Sequence, residues 1–345
     1  MFLRRFWTPL AISVALAAVP SGAAVETLTA TGGLPARLVG QFRDPAAFVE
    51  TADGRFLVFD RRAQTVYGID AGKTSIKKLI PIGPSDGEIL RPATFAPGPD
   101  RTFLILDVPG VHERVQSFYD DGTPLGQFQR WPAVGAPARM NLGAIVYNGL
   151  GALAPLGRGL ITQLPDGEAL MSELSSTGQV TRHIGQLRPT GHERDPELHQ
   201  ALNAGLPIIA ADGSLYFVFI SGAPIFRKYS AGGALLFERH IEGPELDAAV
   251  QALPDTWPTR RVLGREFPIV VPTVRAAAID SNGRLWISLS VPFTYVYDAQ
   301  GNKTRTVQFR AAGIASPDSL FFAKNGRLLI TPGCYEFVPD GQPLA

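Results

Sequence analysis

The sequence predicts an all-β chain folded as a six-bladed β-propeller of four-stranded blades, and three observations predict it. Short apolar runs with period-2 alternation recur along the chain, as in Val115, Ser117, Tyr119 against Gln116, Phe118. Turn signals such as Asp120-Asp121-Gly122 separate them. A turn glycine returns at Gly72, Gly122, Gly178, Gly233, Gly301 and Gly341, spaced 50, 56, 55, 68 and 40 residues apart. A variable repeat of this length, built of four short strands, is the pattern of a propeller blade.

The chain opens MFLRRFWTPLAISVALAAVPSGAAVE. Arg4 and Arg5 form a positive n-region, Phe6–Val19 an apolar h-region, and Ser21-Gly22-Ala23-Ala24 a small-residue cleavage zone. This is the pattern of a secretory signal peptide over residues 1–24, cut after Ala23 or Ala24. The apolar stretch is shorter than the roughly 20 residues of a spanning helix, and an uncleaved anchor is the alternative. The expectation is a secreted or periplasmic protein with a single domain over 25–345 and no stable membrane anchor after cleavage. Balanced charge, 32 Lys and Arg against 31 Asp and Glu, argues against nucleic acid as a partner. Cys334 stands alone, so an internal disulfide is impossible and the core alone must hold the fold.

Each unit opens with a small-residue strand: Ala46–Val49, Ala93–Ala96, Gly151–Ala154, Pro207–Ala210, Ala276–Ile279, Ser319–Phe322. A turn follows (Asp53-Gly54, Pro99-Asp100, Leu156-Gly157, Asp212-Gly213, Asn282-Gly283, Asn325-Gly326), then a strongly apolar strand. After Gly341 too few residues remain for an outer strand in the sixth unit. Ala36–Phe42, whose ending Val39-Gly40-Gln41-Phe42 echoes Leu125-Gly126-Gln127-Phe128, is expected to supply that strand and close the ring.

Unit two, with Asp107, His112, Arg114-Val115-Gln116 and Tyr119-Asp120-Asp121-Gly122, resembles an NHL repeat. Unit five, Ala278–Ile287 followed by Tyr295-Val296-Tyr297-Asp298, is similar. Gluconolactonase-like and TolB-like propellers are more distant likenesses. The resemblance implies a six-bladed ring and leaves function open, because NHL-like propellers include enzymes, protein-binding modules and nucleic-acid binders.

Long insertions follow the fourth strands: Trp131–Leu150, Gln186–Leu206 and Glu242–Thr273. Loops after strands two and four emerge on the same face, so these insertions elaborate one face and its channel mouth, the expected site. Asp195-Pro196-Glu197 starts a helix running to about Asn203, and Pro244–Leu253 reads as another. His192, Asp195 and His199 form the densest group of metal-ligand types, suited to zinc; a capped surface helix is the plainer reading. Asp44, Arg91, Arg275 and Asp318 flank first strands and are expected at the channel mouth, either orienting a polar ligand or pairing with one another. Trp257, Trp131 and Tyr147 are candidates to stack on a sugar, anchor a peptide or cover the core.

Similarity to the lactonase propellers implies a divalent cation on the axis, held here by Glu50, Asn141 or Asn148, and Asp318; such oxygen ligands suit Ca2+. Pro317-Asp318-Ser319 resembles that family's Pro-Asp-Gly stretch. No Gly-x-Ser-x-Gly elbow, P-loop or dinucleotide glycine pattern occurs. With no catalytic set and no cofactor evident, the leading expectation is an exported scaffold that binds a protein or small ligand, and the alternative is a metal-dependent lactonase-type hydrolase.

Overall fold

A computed structural model describes residues 24–110, 112–130, 138–141, 144–147, 150–164, 168–262 and 265–340. Residues 1–23 of the expected signal peptide, Gly341, Trp131 and Asn148 lie outside them. The described chain begins with β1 (Val25–Thr29), β2 (Gly32–Gly33) and a short helix α1 (Ala36–Val39). Blade one is β3 (Pro45–Glu50), β4 (Phe56–Asp60), β5 (Thr65–Ile69) and β6 (Ile76–Lys78). Blade two is β7 (Thr94–Pro97), β8 (Thr102–Asp107), β9 (Glu113–Tyr119) and β10 (Pro124–Arg130). A hairpin, β11 (Ala138–Asn141) and β12 (Ala144–Tyr147), leads into blade three: β13 (Ala154–Leu156), β14 (Gly159–Thr162), β15 (Ala169–Leu174), β16 (Val180–Gln186). Helix α2 (Pro196–Leu202) precedes blade four: β17 (Gly205–Ile209), β18 (Leu215–Phe219), β19 (Ile225–Tyr229), β20 (Leu235–His240).

Helix α3 (Pro244–Gln251) and the hairpin β21 (Thr259–Val262) and β22 (Arg265–Pro268) follow. Blade five is β23 (Val274–Ile279), β24 (Leu285–Leu289), β25 (Thr294–Tyr297) and β26 (Lys303–Arg310). Blade six has β27 (Ser319–Phe322), β28 (Leu328–Thr331) and β29 (Tyr335–Phe337) from the C-terminal end of the chain. Every blade is an antiparallel meander, and the first strands β3, β7, β13, β17, β23 and β27 line the axis, each running from an upper to a lower face.

Six apolar clusters hold the ring, one between each successive pair of blades. Blades one and two share Phe59, Ile105 and Phe118; blades four and five share Phe226, Ile287 and Tyr295. Strands β4, β18 and β24 are buried along their whole length because both faces of a blade meet a neighbour. That explains why second strands read as continuous apolar runs. The turn glycine is obligatory at Gly122, where φ is 90° and a Cβ would stand 2.7 Å from the Leu79 carbonyl oxygen.

Ring closure differs from the sequence expectation in one respect. The N-terminus does complete blade six, but through Gly32–Gly33 paired with β29, not through Ala36–Phe42. Ala36–Val39 is helical because its apolar side chains keep helical spacing. Leu34 and Leu38, four apart, are both buried against Phe48, Phe56 and Leu329, with Pro35 at the N-cap position. Before that, β1 adds a fifth strand, parallel, to the outer edge of blade five.

Cys334 sits in the same joint, fully buried, and burial pushes its thiol up to about 12. A maleimide at neutral pH is therefore expected to leave the native protein unmodified and to label one thiol per chain after denaturation. Rapid labelling of native protein would place Cys334 at the surface.

Candidate functional site

The upper face carries the insertions, and they come together. Strand β11 lies alongside β22 and α2, and α2 also meets β22, so segments from three blade junctions form one composite cap. Helix α2 forms as its sequence dictates: Asp195 at the N-cap accepts from the Leu198 N–H (3.1 Å), Pro196 follows, and Asn203 is the C-cap. Asn203 fixes the insertion by accepting from the Arg188 N–H (2.8 Å) and donating to the Arg188 and His199 carbonyls. The Arg188 guanidinium donates to the carbonyls of Leu202, Ser221 and Ala223 and lies over the Phe219 ring at 4.4 Å. Burial, with Arg227 nearby, pulls its pKa down to about 10. Trp257 packs against Leu198, Ala201, Leu202 and Val270, so it covers α2.

Two of the metal-ligand candidates of this insertion, Asp195 and His199, are engaged locally through their side chains, and His192 is held through its backbone N–H. His199 Nδ1 and Thr190 Oγ1 are hydrogen-bonded at 2.7 Å, and the same hydroxyl accepts from the His192 N–H. Asp195 is engaged as the cap. Among the described residues no three His, Cys, Asp or Glu side chains are placed to hold a metal ion.

The channel-mouth candidates also find nearby partners. Asp44 pairs with Arg61 (2.8 Å), and Arg275 pairs with Asp318 across blades five and six (2.5 Å). Arg91 donates to the carbonyls of Val108 and Gly110. Glu50 lies elsewhere, at the lower end of β3, paired with Arg327 at 2.6 Å. Asp318 precedes β27 at its upper end, and one inner strand separates the two levels by roughly 13 Å at 3.3 Å per residue. Two oxygens binding one Ca2+ at about 2.5 Å each lie no more than about 5 Å apart. Glu50 and Asp318 therefore do not fit a common cation, and the ligand set suggested by the lactonase resemblance is corrected on that ground. Asn141 lies on β11, within the upper cap.

The lower face holds the feature that the sequence reading missed. A cavity of 740 Å³ opens there at the ends of the inner strands of blades six, one and two. Its apolar floor is Val49, Leu57, Phe103, Phe321 and Phe322. Ion pairs tie blade to blade around it. Asp120, whose side chain is 4% exposed, receives both Arg55 (3.1 Å) and Arg101 (2.9 Å). Asp53 receives the same two arginines, and the Thr51 hydroxyl bonded to it leads in holding its carboxyl below the usual range. Arg327 joins Glu50 to Glu336, which also meets Lys73. Farther round, Arg284 and Arg305 hold Asp340. The signal was legible: Asp53-Gly54-Arg55, Asn282-Gly283-Arg284 and Asn325-Gly326-Arg327 repeat one turn whose arginine reaches the next blade.

Comparison with solved structures agrees on the ring. The chain is similar to a streptogramin B lyase structure (13% identity, 85% of this chain and 92% of that one, TM-score 0.52). It is also similar to a luciferin-regenerating enzyme (10% identity, 87% and 92%, TM-score 0.50). Virginiamycin B lyase from Staphylococcus aureus aligns at 14% identity over 84% and 78%, with a TM-score of 0.49. At such identities the likeness shows the fold alone. No protein-family model matches the chain, and no curated protein sequence matches it.

Proposed function

We propose that this is an exported recognition module whose composite upper cap binds a partner protein. The observation that carries the reading is the convergence of β11, α2 and β22 from three separate insertions. Ring closure needs none of them, and long connections that acquire structure of their own are usually functional. The cap presents exposed Arg260 and Arg261, the latter paired with Glu266 on the facing strand. Cleavage after Ala23 or Ala24 would leave β1 intact, which is compatible with export.

The test is site-specific photo-crosslinking in cells of the native host. A benzoylphenylalanine at Arg260 is expected to give a discrete adduct, and one at exposed Lys77 on the outer strand of blade one is expected to give none. Equal adducts at both positions, or none at Arg260, would overturn the reading. Saturable turnover of a lactone panel that depends on added Ca2+ would replace it with the hydrolase reading.

A further inference from the structure

The geometry points to a second site: the lower-face cavity between blades six, one and two binds a short apolar peptide through its free termini, with the ammonium at Asp100 and the carboxylate at Lys324. The cavity's 740 Å³ lies within the roughly 300–1,000 Å³ of small-molecule clefts. Five ionisable side chains line it: Glu50, Asp100, Arg101, Asp120 and Lys324. Three are already matched, Glu50 by Arg327, Asp120 by Arg55 and Arg101, and Arg101 by Asp120 and Asp53. Asp100 and Lys324 remain, both exposed, and neither forms a hydrogen bond or ion pair with a described residue. They have opposite signs and stand on the turns of blades two and six, on either side of blade one. Between them lies the apolar floor of Val49, Leu57, Phe103, Phe321 and Phe322.

The backbone of blade two shows how Asp100 comes to stand at the cavity. Its neighbours make the turn between first and second strands with a glycine at positive φ: Gly54, Gly157, Gly213, Gly283 and Gly326. Blade two instead places Asp100 (φ 52°) and Arg101 (φ 61°) in the left-handed region. The Thr102 N–H closes the turn on the Pro99 carbonyl, so both residues sit at a hairpin tip that calls for the left-handed region, and Asp100 is presented there with its carboxylate unpaired.

Two separated opposite charges across an apolar floor select a zwitterion with an apolar middle. A single amino acid carries both charges on one carbon, whereas Asp100 and Lys324 stand on the turns of different blades. A peptide of two to four residues separates them by about 7–14 Å when extended. With apolar side chains, its termini are its only charges.

Isothermal titration with Phe-Ala, Ala-Phe-Ala and Ala-Phe-Phe-Ala tests this. At least one length is expected to bind saturably at one site, and N-acetylation or C-amidation of that peptide is expected to weaken it at least tenfold. Asp100→Asn should abolish the sensitivity to acetylation, and Lys324→Ala the sensitivity to amidation. Both variants should keep the parent melting temperature, because neither side chain has an internal partner. Absence of saturable heat at all three lengths would overturn the inference. So would indifference to both modifications, dependence on the carboxylate alone, or a terminus preference unchanged in the variants.

Discussion

Arg114→Leu is expected to cost about 3–5 kcal/mol of folding stability, read as a lower urea midpoint, because it leaves a buried carboxylate without its cation. Arg114 and Asp107 are 1% and 0% exposed at the side chain and bond at 2.7 and 2.9 Å in a two-pronged pair. The remaining guanidinium hydrogens go to the carbonyls of Pro84, Ser85 and Glu88, in the connection from blade one to blade two. One side chain thus satisfies a buried charge and anchors an inter-blade loop. Arg114→Lys keeps the charge but loses the planar fork, so it should fall between parent and Leu variant. The double change Asp107→Leu with Arg114→Leu should recover part of the loss, since the orphaned charge is gone while the carbonyls stay unsatisfied. Arg261→Ala is the contrast: its pair with Glu266 is 70% and 54% exposed, and less than about 1 kcal/mol is expected. A loss below about 1 kcal/mol for Arg114→Leu would show that the pair does not organise the blade.

Arg114 also shows how much of the molecule the sequence disclosed. Arg114-Val115-Gln116 reads as a strand by alternation, and all three side chains are buried. Val115 joins the core between blades two and three, while Arg114 and Gln116 both hold the Glu88 carbonyl. Alternation therefore revealed the strand but not what its polar face does, because the partner lies in a loop with no pattern of its own. The repeat made the ring legible, and local capping chemistry at Asp195 and Asn203 made α2 legible. The site candidates were chosen by residue type, and type does not say which end of a strand a side chain occupies. Glu50 and Asp318 each adjoin a first strand, yet stand at opposite faces. Asp100 was legible only as a turn residue and Lys324 not at all, because only closure of the ring sets them around one cavity.

That closure depends on the N-terminal strap, and Gly33→Val is expected to open it. The strap crosses three blades in sequence. Strand β1 pairs with β26 from Val25↔Thr306 to Thr29↔Arg310, the Thr31 N–H donates to the Glu336 carbonyl, and β2 pairs with β29. Leu34 then donates its N–H to the Cys334 carbonyl, and α1 buries Leu38 beside blade one, with Arg37 donating to the carbonyls of Lys73 and Thr74. Gly33 has φ 152°, and a Cβ there would lie 2.7 Å from the Cys334 carbonyl oxygen, which no β-branched residue tolerates. Displacing β2 exposes the edge of β29 and strips cover from Leu34 and Cys334. Losing the buried Leu34 side chain alone is worth about 1.5–3 kcal/mol, and the lost backbone pairing adds to it. The expected result is at least about 3 kcal/mol of destabilisation, with Cys334 now labelled by maleimide without denaturant. An exposed strand edge also recruits other chains, so concentration-dependent association should accompany it. Thr29→Ala, which keeps the backbone of β1 and touches no buried surface, should do none of this. If Gly33→Val unfolds at the parent midpoint and keeps Cys334 protected, the ring is held by the blade contacts of the six clusters and the strap is ornament.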